Sequence, residues 1–217
     1  LEAGVSPFAI LLFSTTALGY GMLGLLDDLV GSRQEKGLRG HGAALMAGRL
    51  TSGTLKAVLG VAFGMILAAY HPGSEPFSRQ WSLMLPVDAL VIAASANTLN
   101  LLDLRPGRAG KVFLFSSLLL ITSGNPLSLV MLPWIGSHLG YLPFELEGKA
   151  MMGDVGANAL GALLGLASCS ILSFTMRLIL LSGLISIHIL AERVSLSDII
   201  ERHSVLRALD RWGRKDS

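Results

Sequence analysis

The sequence predicts an all-α fold, a polytopic bundle of about seven transmembrane helices followed by an amphipathic helix at the C-terminus. Three observations carry that expectation. Only 15% of the 217 residues are charged and 52% are hydrophobic, whereas about a quarter of a soluble chain is charged. Apolar runs fall at roughly 5–26, 54–70, 82–102, 112–124, 126–143, 155–174 and 176–191, and most can cross about 30 Å of hydrocarbon as helices. The mean hydropathy of +0.61 also argues against a soluble protein with a large core, which would need far more polar residues to coat its surface. The lone Cys169 sits inside an apolar run, excluding an intrachain disulfide and a cysteine-built metal centre.

Taken in order, the runs are clear except between Val112 and Phe144, a stretch long for one helix and short for two. "SGNP" (123–126) is a turn signal in its middle. Charge settles the parity. With two short spans there, one side receives Arg33, Lys36, Arg39, Arg49, Lys56, Arg105, Arg108, Lys111, Lys149, Arg193, Arg202, Arg207, Arg211, Arg214 and Lys215. Only Arg79 and Arg177 lie opposite. Such an asymmetry marks the basic side as cytoplasmic, and a single span would put the basic tail outside. The division expected is a transmembrane catalytic bundle over 1–192 and a cytoplasmic tail over 193–217. In the tail, Leu196, Ile199, Ile200, His203, Leu206, Leu209 and Trp212 recur at three- and four-residue spacing. Ser195 and Asp198 form a capping pair. A helix of this kind lies along the membrane surface or packs on the cytoplasmic ends of the bundle.

Three polar clusters interrupt the apolar chain, and the topology puts all three on the cytoplasmic side. Asp27 and Asp28 end the first run in "LLDDL"; Asn97, Asn100 and Asp103 end the third in "NTLNLLDLRPGRAGK"; Asp154 opens the sixth in "MGDVGANALGALLG". A stripe of Asn and Asp facing lipid is expensive and belongs in the bundle interior or a wet cleft. Carboxylate and amide oxygens select a hard cation, and Mg²⁺ is the usual one where phosphates also bind. Arg105, Arg108 and Lys111 beside them suit the charge that shifts in phosphoryl transfer. The chemistry expected is therefore Mg²⁺-assisted phosphoryl transfer between a soluble nucleotide donor and a membrane-embedded acceptor.

In their order, "GLLDDL", "NTLNLLD" and "KAMMGDVGANALGALLG" resemble the motifs of the polyprenyl-phosphate N-acetylhexosamine-1-phosphate transferases, glycosyl transferase family 4, over roughly residues 10–175. The resemblance implies transfer of a sugar 1-phosphate from a UDP-HexNAc to undecaprenyl phosphate, with release of UMP. It implies Mg²⁺ as cofactor, the bacterial plasma membrane as location, a cytoplasmic active site and a role in cell-envelope glycan synthesis. It leaves room for a homodimer, and gives no place to nucleic acid. By position, Asp154 matches the metal-binding Asp and Asn100 an amide near the same metal. Asp27 matches the acid that deprotonates or positions the lipid phosphate, with Asp28 beside it. Asp103 matches a residue of the nucleotide pocket, Asn97 belongs to the same stripe, and Lys56 corresponds loosely to a cytoplasmic lysine after the Asp-Asp pair. Arg105 and Arg108 complete the substrate-binding set.

The sequence also departs from the family pattern. Asp103 is followed by "LRPGRAGK", with Pro106 where a second Asp is common, and only "SFTMR" joins the last two runs where a His-rich loop is usual. His203 in the tail is a candidate substitute. Two spans that usually precede the Asp-Asp pair are not in this sequence, which opens "LEAGVSPF", as expected of an N-terminal truncation. "KGLRGH" (36–41) is a basic loop suited to lipid head groups or substrate phosphates; His71, His138 and His188 read as structural. The small residues of "GANALGALLG" predict close helix packing. Two other readings stay open at this stage: a catalytically degenerate member of the family, and a cation-handling transporter.

Overall fold

A computed structural model describes residues 5–30, 51–72 and 79–215. Arg33, Lys36, Arg39, Arg49 and the "KGLRGH" loop lie outside these residues. The described chain forms helices α1 (Pro7–Val30), α2 (Ser52–Tyr70), α3 (Arg79–Leu102), α4 (Arg108–Thr122), a 3-10 turn (Pro126–Met131), α5 (Leu132–Leu146), α6 (Gly153–Ile171), α7 (Phe174–Arg193), α8 (Leu196–Arg202) and α9 (Ser204–Arg211). There is no strand among them.

Five helices, α1, α2, α3, α6 and α7, are long and apolar enough to cross a membrane. The ambiguous stretch does break at "SGNP". Gly124 takes φ +72°, and Asn125 Oδ1 caps the 3-10 turn by accepting from the Leu127 N–H at 3.0 Å. The two parts, α4 and α5, are 15-residue helices, each about 22 Å long at 1.5 Å per residue. They are shorter than a full crossing, so five full-length helices and one short hairpin stand where seven spans were expected. The start of α4 packs along α5: a Cβ on Gly110 would meet the His138 ring, and one on Gly107, just before α4, would meet Leu146 at the end of α5. The hairpin therefore returns to the end of the bundle it left.

The centre is α6, which packs chiefly on α3 and α1 and buries Gly161, Ala162, Leu163, Leu164, Gly165, Leu166 and Ala167. Its glycines set the spacing, as expected of a small-residue stripe. A Cβ at Gly161 would lie 2.5 Å from the Ser95 carbonyl oxygen, and one at Gly165 2.6 Å from Ile92 Cα. α2 is tied in by the Tyr20 hydroxyl, which donates to the Gly60 carbonyl at 2.7 Å. At the end remote from the acidic motifs, Asp88 is buried, its Oδ2 accepting from Arg177 Nη1 at 2.8 Å and lying 3.2 Å from His71 Nε2. This cluster accounts for His71 and for Arg177, one of the two basic residues set against the charge asymmetry.

The tail differs from one continuous amphipathic helix. It breaks at His203, whose backbone is extended and which ends α8 and begins α9. Ser195 does cap α8, its hydroxyl accepting from the Asp198 N–H. The break turns α9 so that Asp210 reaches the bundle, and the predicted single stripe from Leu196 to Trp212 is split in two.

Candidate active site

The motif-bearing ends of α1, α2, α3 and α6 meet at one end of the bundle. Asp27 and Asp28 fall in the last turn of α1. One turn earlier, Gly24 lies so close to the Asp154 backbone that any Cβ there would overlap its carbonyl group. The absence of a side chain at Gly24 thus lets the first motif touch the third. On α2, Thr51 caps the helix by accepting from the Thr54 N–H, which places Lys56 within the first two turns. Asp154 lies in the first turn of α6, where a carboxylate also meets the positive end of the helix dipole. Gly153 before it holds φ +62°, and Asn158 Nδ2 donates to the Asp154 carbonyl at 2.5 Å.

Lys56 is the hub. Its ammonium donates to Asp27 Oδ2 at 2.9 Å and to Asp154 Oδ2 at 2.7 Å. Asn100 Nδ2 donates to the same Asp154 oxygen at 3.2 Å. These groups are neither sealed nor open: the side chains of Lys56, Asp27 and Asp154 are 15%, 24% and 28% exposed. Asp28 is exposed, with Oδ2 beside Gly153. Asp103 sits just past the end of α3, half-buried. Burial pushes its carboxyl up to about 6, against the pull of the Gly153 N–H and with the Asp154 charge adding to the rise.

The other expected site residues stand outside this hydrogen-bonded group. Residues three apart on a helix turn back about 60° at each step, so the Asn97–Asn100–Asp103 stripe fans out. Asn97 is exposed, with its Nδ2 2.9 Å from His188 Nε2 on α7. Arg105 is exposed in the turn after Asp103. Arg108 is buried and faces the tail, its Nε and Nη2 donating to Asp210 Oδ1 and Oδ2 at 2.6 and 3.3 Å, and its Nη1 to Ser197 Oγ at 3.0 Å. Lys111 donates to the Leu209 and Asp210 carbonyls. His203 is exposed.

Two buried acids on the motif-bearing side escaped the sequence reading. Glu145, the penultimate residue of α5, is fully buried. Its Oε1 accepts the Met152 N–H at 3.0 Å, bracing the turn that presents Asp154. Burial pushes its carboxyl up to about 7, so it holds a proton over much of the range in which ordinary carboxylates are charged. The signal was a single acid in the apolar run "YLPFEL", nine residues before Asp154. The other is Asp210, an isolated acid among tail arginines. Its burial works to raise the pKa, but the hydrogen bonds and charge of Arg108, with Arg214, outweigh it and leave the group below its ordinary value.

Asp27, Asp154 and the Asn100 amide form a hard oxygen-donor set once the amide turns its oxygen inward. No group of three or more His, Cys, Asp or Glu converges on one point among the described residues. A cage built wholly from acidic and imidazole ligands is therefore absent from them. The two carboxylates that already share one cation suit a Mg²⁺ ion, which takes one or two carboxylates and fills its other positions with phosphate and water.

Comparison with known proteins bears on the same residues. Residues 10–173 match the family model described as glycosyl transferase family 4. The chain is similar to the phospho-N-acetylmuramoyl-pentapeptide-transferase of Desulforamulus reducens, 29% identical over 176 residues, covering 77% of this chain and 52% of that protein. It is similar to those of Bacillus subtilis (29% over 171 residues, 72% and 50%) and Streptomyces coelicolor (31% over 210 residues, 78% and 56%). The chain spans about half the length of the curated relatives it matches. The matched stretch takes in all three acidic motifs, the long apolar helices α2, α3 and α6 in full and all but the first three residues of α1, and stops before α7; with this coverage, the chain belongs to glycosyl transferase family 4.

Proposed function

We propose that the chain is the membrane-embedded part of a phosphoglycosyl transferase that moves a sugar 1-phosphate from a UDP-HexNAc to a polyprenyl phosphate, undecaprenyl phosphate in a bacterial plasma membrane. The observation that carries the reading is the meeting of Asp27, Lys56, Asn100 and Asp154 within hydrogen-bond reach of one another at one end of an apolar bundle. The curated relatives named above are phospho-N-acetylmuramoyl-pentapeptide-transferases, which supports a phosphosugar donor and a role in cell-wall synthesis.

In this reading an oxygen of the acceptor phosphate attacks the β-phosphorus of the donor. The bond from that phosphorus to the oxygen bridging it to the α-phosphorus breaks, UMP leaves with the bridging oxygen, and a polyprenyl diphosphosugar remains. Asp27, at the lipid boundary, orients the acceptor phosphate and takes its proton if it arrives protonated. Lys56 moves from the two carboxylates to the phosphate oxygens as charge builds on them. Asp154, with Asn100 behind it, would hold Mg²⁺, which supplies charge neutralisation of the diphosphate. Asp103 and Arg105 contact the nucleotide. A groove of about 310 Å³ between α5 and α6, lined by Trp134, Tyr141, Met152, Val155, Ala159 and Leu160, starts next to Asp154 and suits the acceptor's prenyl chain.

A cation transporter would place its acids near the bilayer midplane. Here the middle of α6 is buried Ala, Leu and Gly, and the acids of the three motifs lie at one end. The test is UMP release from UDP-HexNAc donors and undecaprenyl phosphate by the full-length protein with Mg²⁺. Asp154→Asn is expected to abolish it, a loss of at least about 10³-fold. Full activity of that variant would remove Asp154 from the chemistry, and inactivity of the unaltered protein on every UDP-sugar would favour a degenerate member of the family.

A further inference from the structure

The tail after α7 has a polar edge with a protein partner and an apolar face without one among the described residues. Asp210 is buried at its polar edge, latched by Arg108. Arg214 Nη2 adds a bond to the same carboxylate at 3.2 Å. Lys215 is held as well: its N–H donates to the Leu146 carbonyl at 3.0 Å and its ammonium to Glu147 Oε1 at 2.6 Å. The tail thus begins at the end of α7 and finishes at the end of α5. With both ends held at helix ends on the motif-bearing side, α8 and α9 run along that boundary instead of away from it.

On the other side of α9, Val205, Leu209 and Trp212 follow one another at i, i+4 and i+7, and they are 68%, 57% and 75% exposed. Leu206 is exposed beside them. Arg207 and Arg211 are exposed too and fall on the opposite side of the helix. A helix whose polar edge docks on its own bundle has no further use for the bundle on its apolar face. The end of α7 beside the tail carries exposed apolar side chains such as Ile189 and Leu190, so a bilayer around the bundle would bring its head-group layer to this height. Arg207 donates to the Glu201 carbonyl at 3.2 Å and Arg211 to Glu201 Oε2 at 3.0 Å, so the net positive charge of the tail, acting from the water side, matches an anionic leaflet while the apolar stripe enters the acyl boundary.

We propose that α9 is a docking surface for the anionic lipid leaflet on the motif-bearing side, with Asp210 as the latch that fixes which face it presents. The proposal does not depend on the transferase reading. The test places single spin labels on the full chain in a Cys169→Ala background, at Val205→Cys, Leu209→Cys, Arg207→Cys and Arg211→Cys, in proteoliposomes with and without phosphatidylglycerol. Collisions with oxygen and with an aqueous nickel chelate then report depth. The expected result is high oxygen and low nickel access at 205 and 209, the reverse at 207 and 211, and a contrast that sharpens with phosphatidylglycerol. Equal nickel access on both faces would overturn the proposal in favour of a solvated tail. Dipolar coupling between labels at 209 on different copies would overturn it in favour of a second copy of the chain. Native Trp212 emission supplies a check free of cysteine variants: quenching by lipids brominated near the head group is expected in a Trp81→Phe, Trp134→Phe background, and its absence counts against the docking surface.

Discussion

At the scale of single residues, Lys56 does the most to organise the site, and it does so through charge. Two carboxylates from distant parts of the chain, Asp27 and Asp154, would repel each other at this separation, yet one ammonium holds both. The pair is partly solvated, so its contribution to folding is small; its value lies in presenting a mobile cation where phosphates would bind. Lys56→Met should therefore leave insertion and thermal stability close to those of the unaltered protein while lowering UMP release by about 10²-fold or more. Parallel unfolding and activity assays check this, and a variant that loses stability in step with activity would mark Lys56 as structural. The family resemblance marks Lys56 loosely and Asp154 firmly. Arg108 shows the limit of such reading, because a basic residue next to an acidic motif looked like a substrate contact, and only the fold shows Asp210 holding it.

At the scale of elements, the glycines of α6 decide how close the helices come. Gly161 and Gly165 bring α6 onto the backbone of α3, which sets where Asp154 stands relative to Asn100. A methyl group at 161 has no room beside the Ser95 carbonyl. Gly161→Ala should cost about 1–3 kcal/mol, whereas Gly140→Ala in α5, with nothing near its Cβ position, should be neutral or slightly stabilising because alanine favours the helix. Thermal unfolding of both variants in detergent compares them directly, and equal midpoints would contradict the packing account. The stripe of small residues was visible in the sequence, as was the turn at "SGNP". The length of α4 and α5 was not, since hydropathy marks apolar residues without saying where a helix starts and stops. The break at His203 was also invisible, because both halves of the tail have helical periodicity and no proline or glycine separates them.

At the scale of the whole molecule, the two ends of the bundle are built in opposite ways. The motif end leaves its acids partly exposed around the Lys56 ammonium. The other end buries Asp88 against Arg177 and His71, with side-chain exposure of only 2% at Asp88. Removing one member of a buried ion pair leaves an uncompensated charge. Asp88→Ala should therefore destabilise the bundle by about 3 kcal/mol or more, while Glu147→Ala, which breaks exposed pairs with Lys149 and Lys215, should leave stability close to that of the unaltered protein. Equal unfolding midpoints for the two would refute a structural lock at that end.

The sequence alone determined that the chain is helical and membrane-embedded, because so few charges cannot coat a soluble surface. Residue types and their order marked the three acidic motifs. The sidedness of the charges raised the expectation that the motifs share a face, which the bundle bears out by bringing them to one end. Tertiary structure alone decided which of the marked groups touch. Hydrogen bonding acts over about 3 Å, while Asp27, Lys56, Asn100 and Asp154 are spread over more than 120 positions of chain. Helix spacing, set by Gly24 and Gly161, closes that distance for these four. The same packing turns Asn97 toward α7 and gives Arg108 to the tail, since each helix offers only one face to a given neighbour.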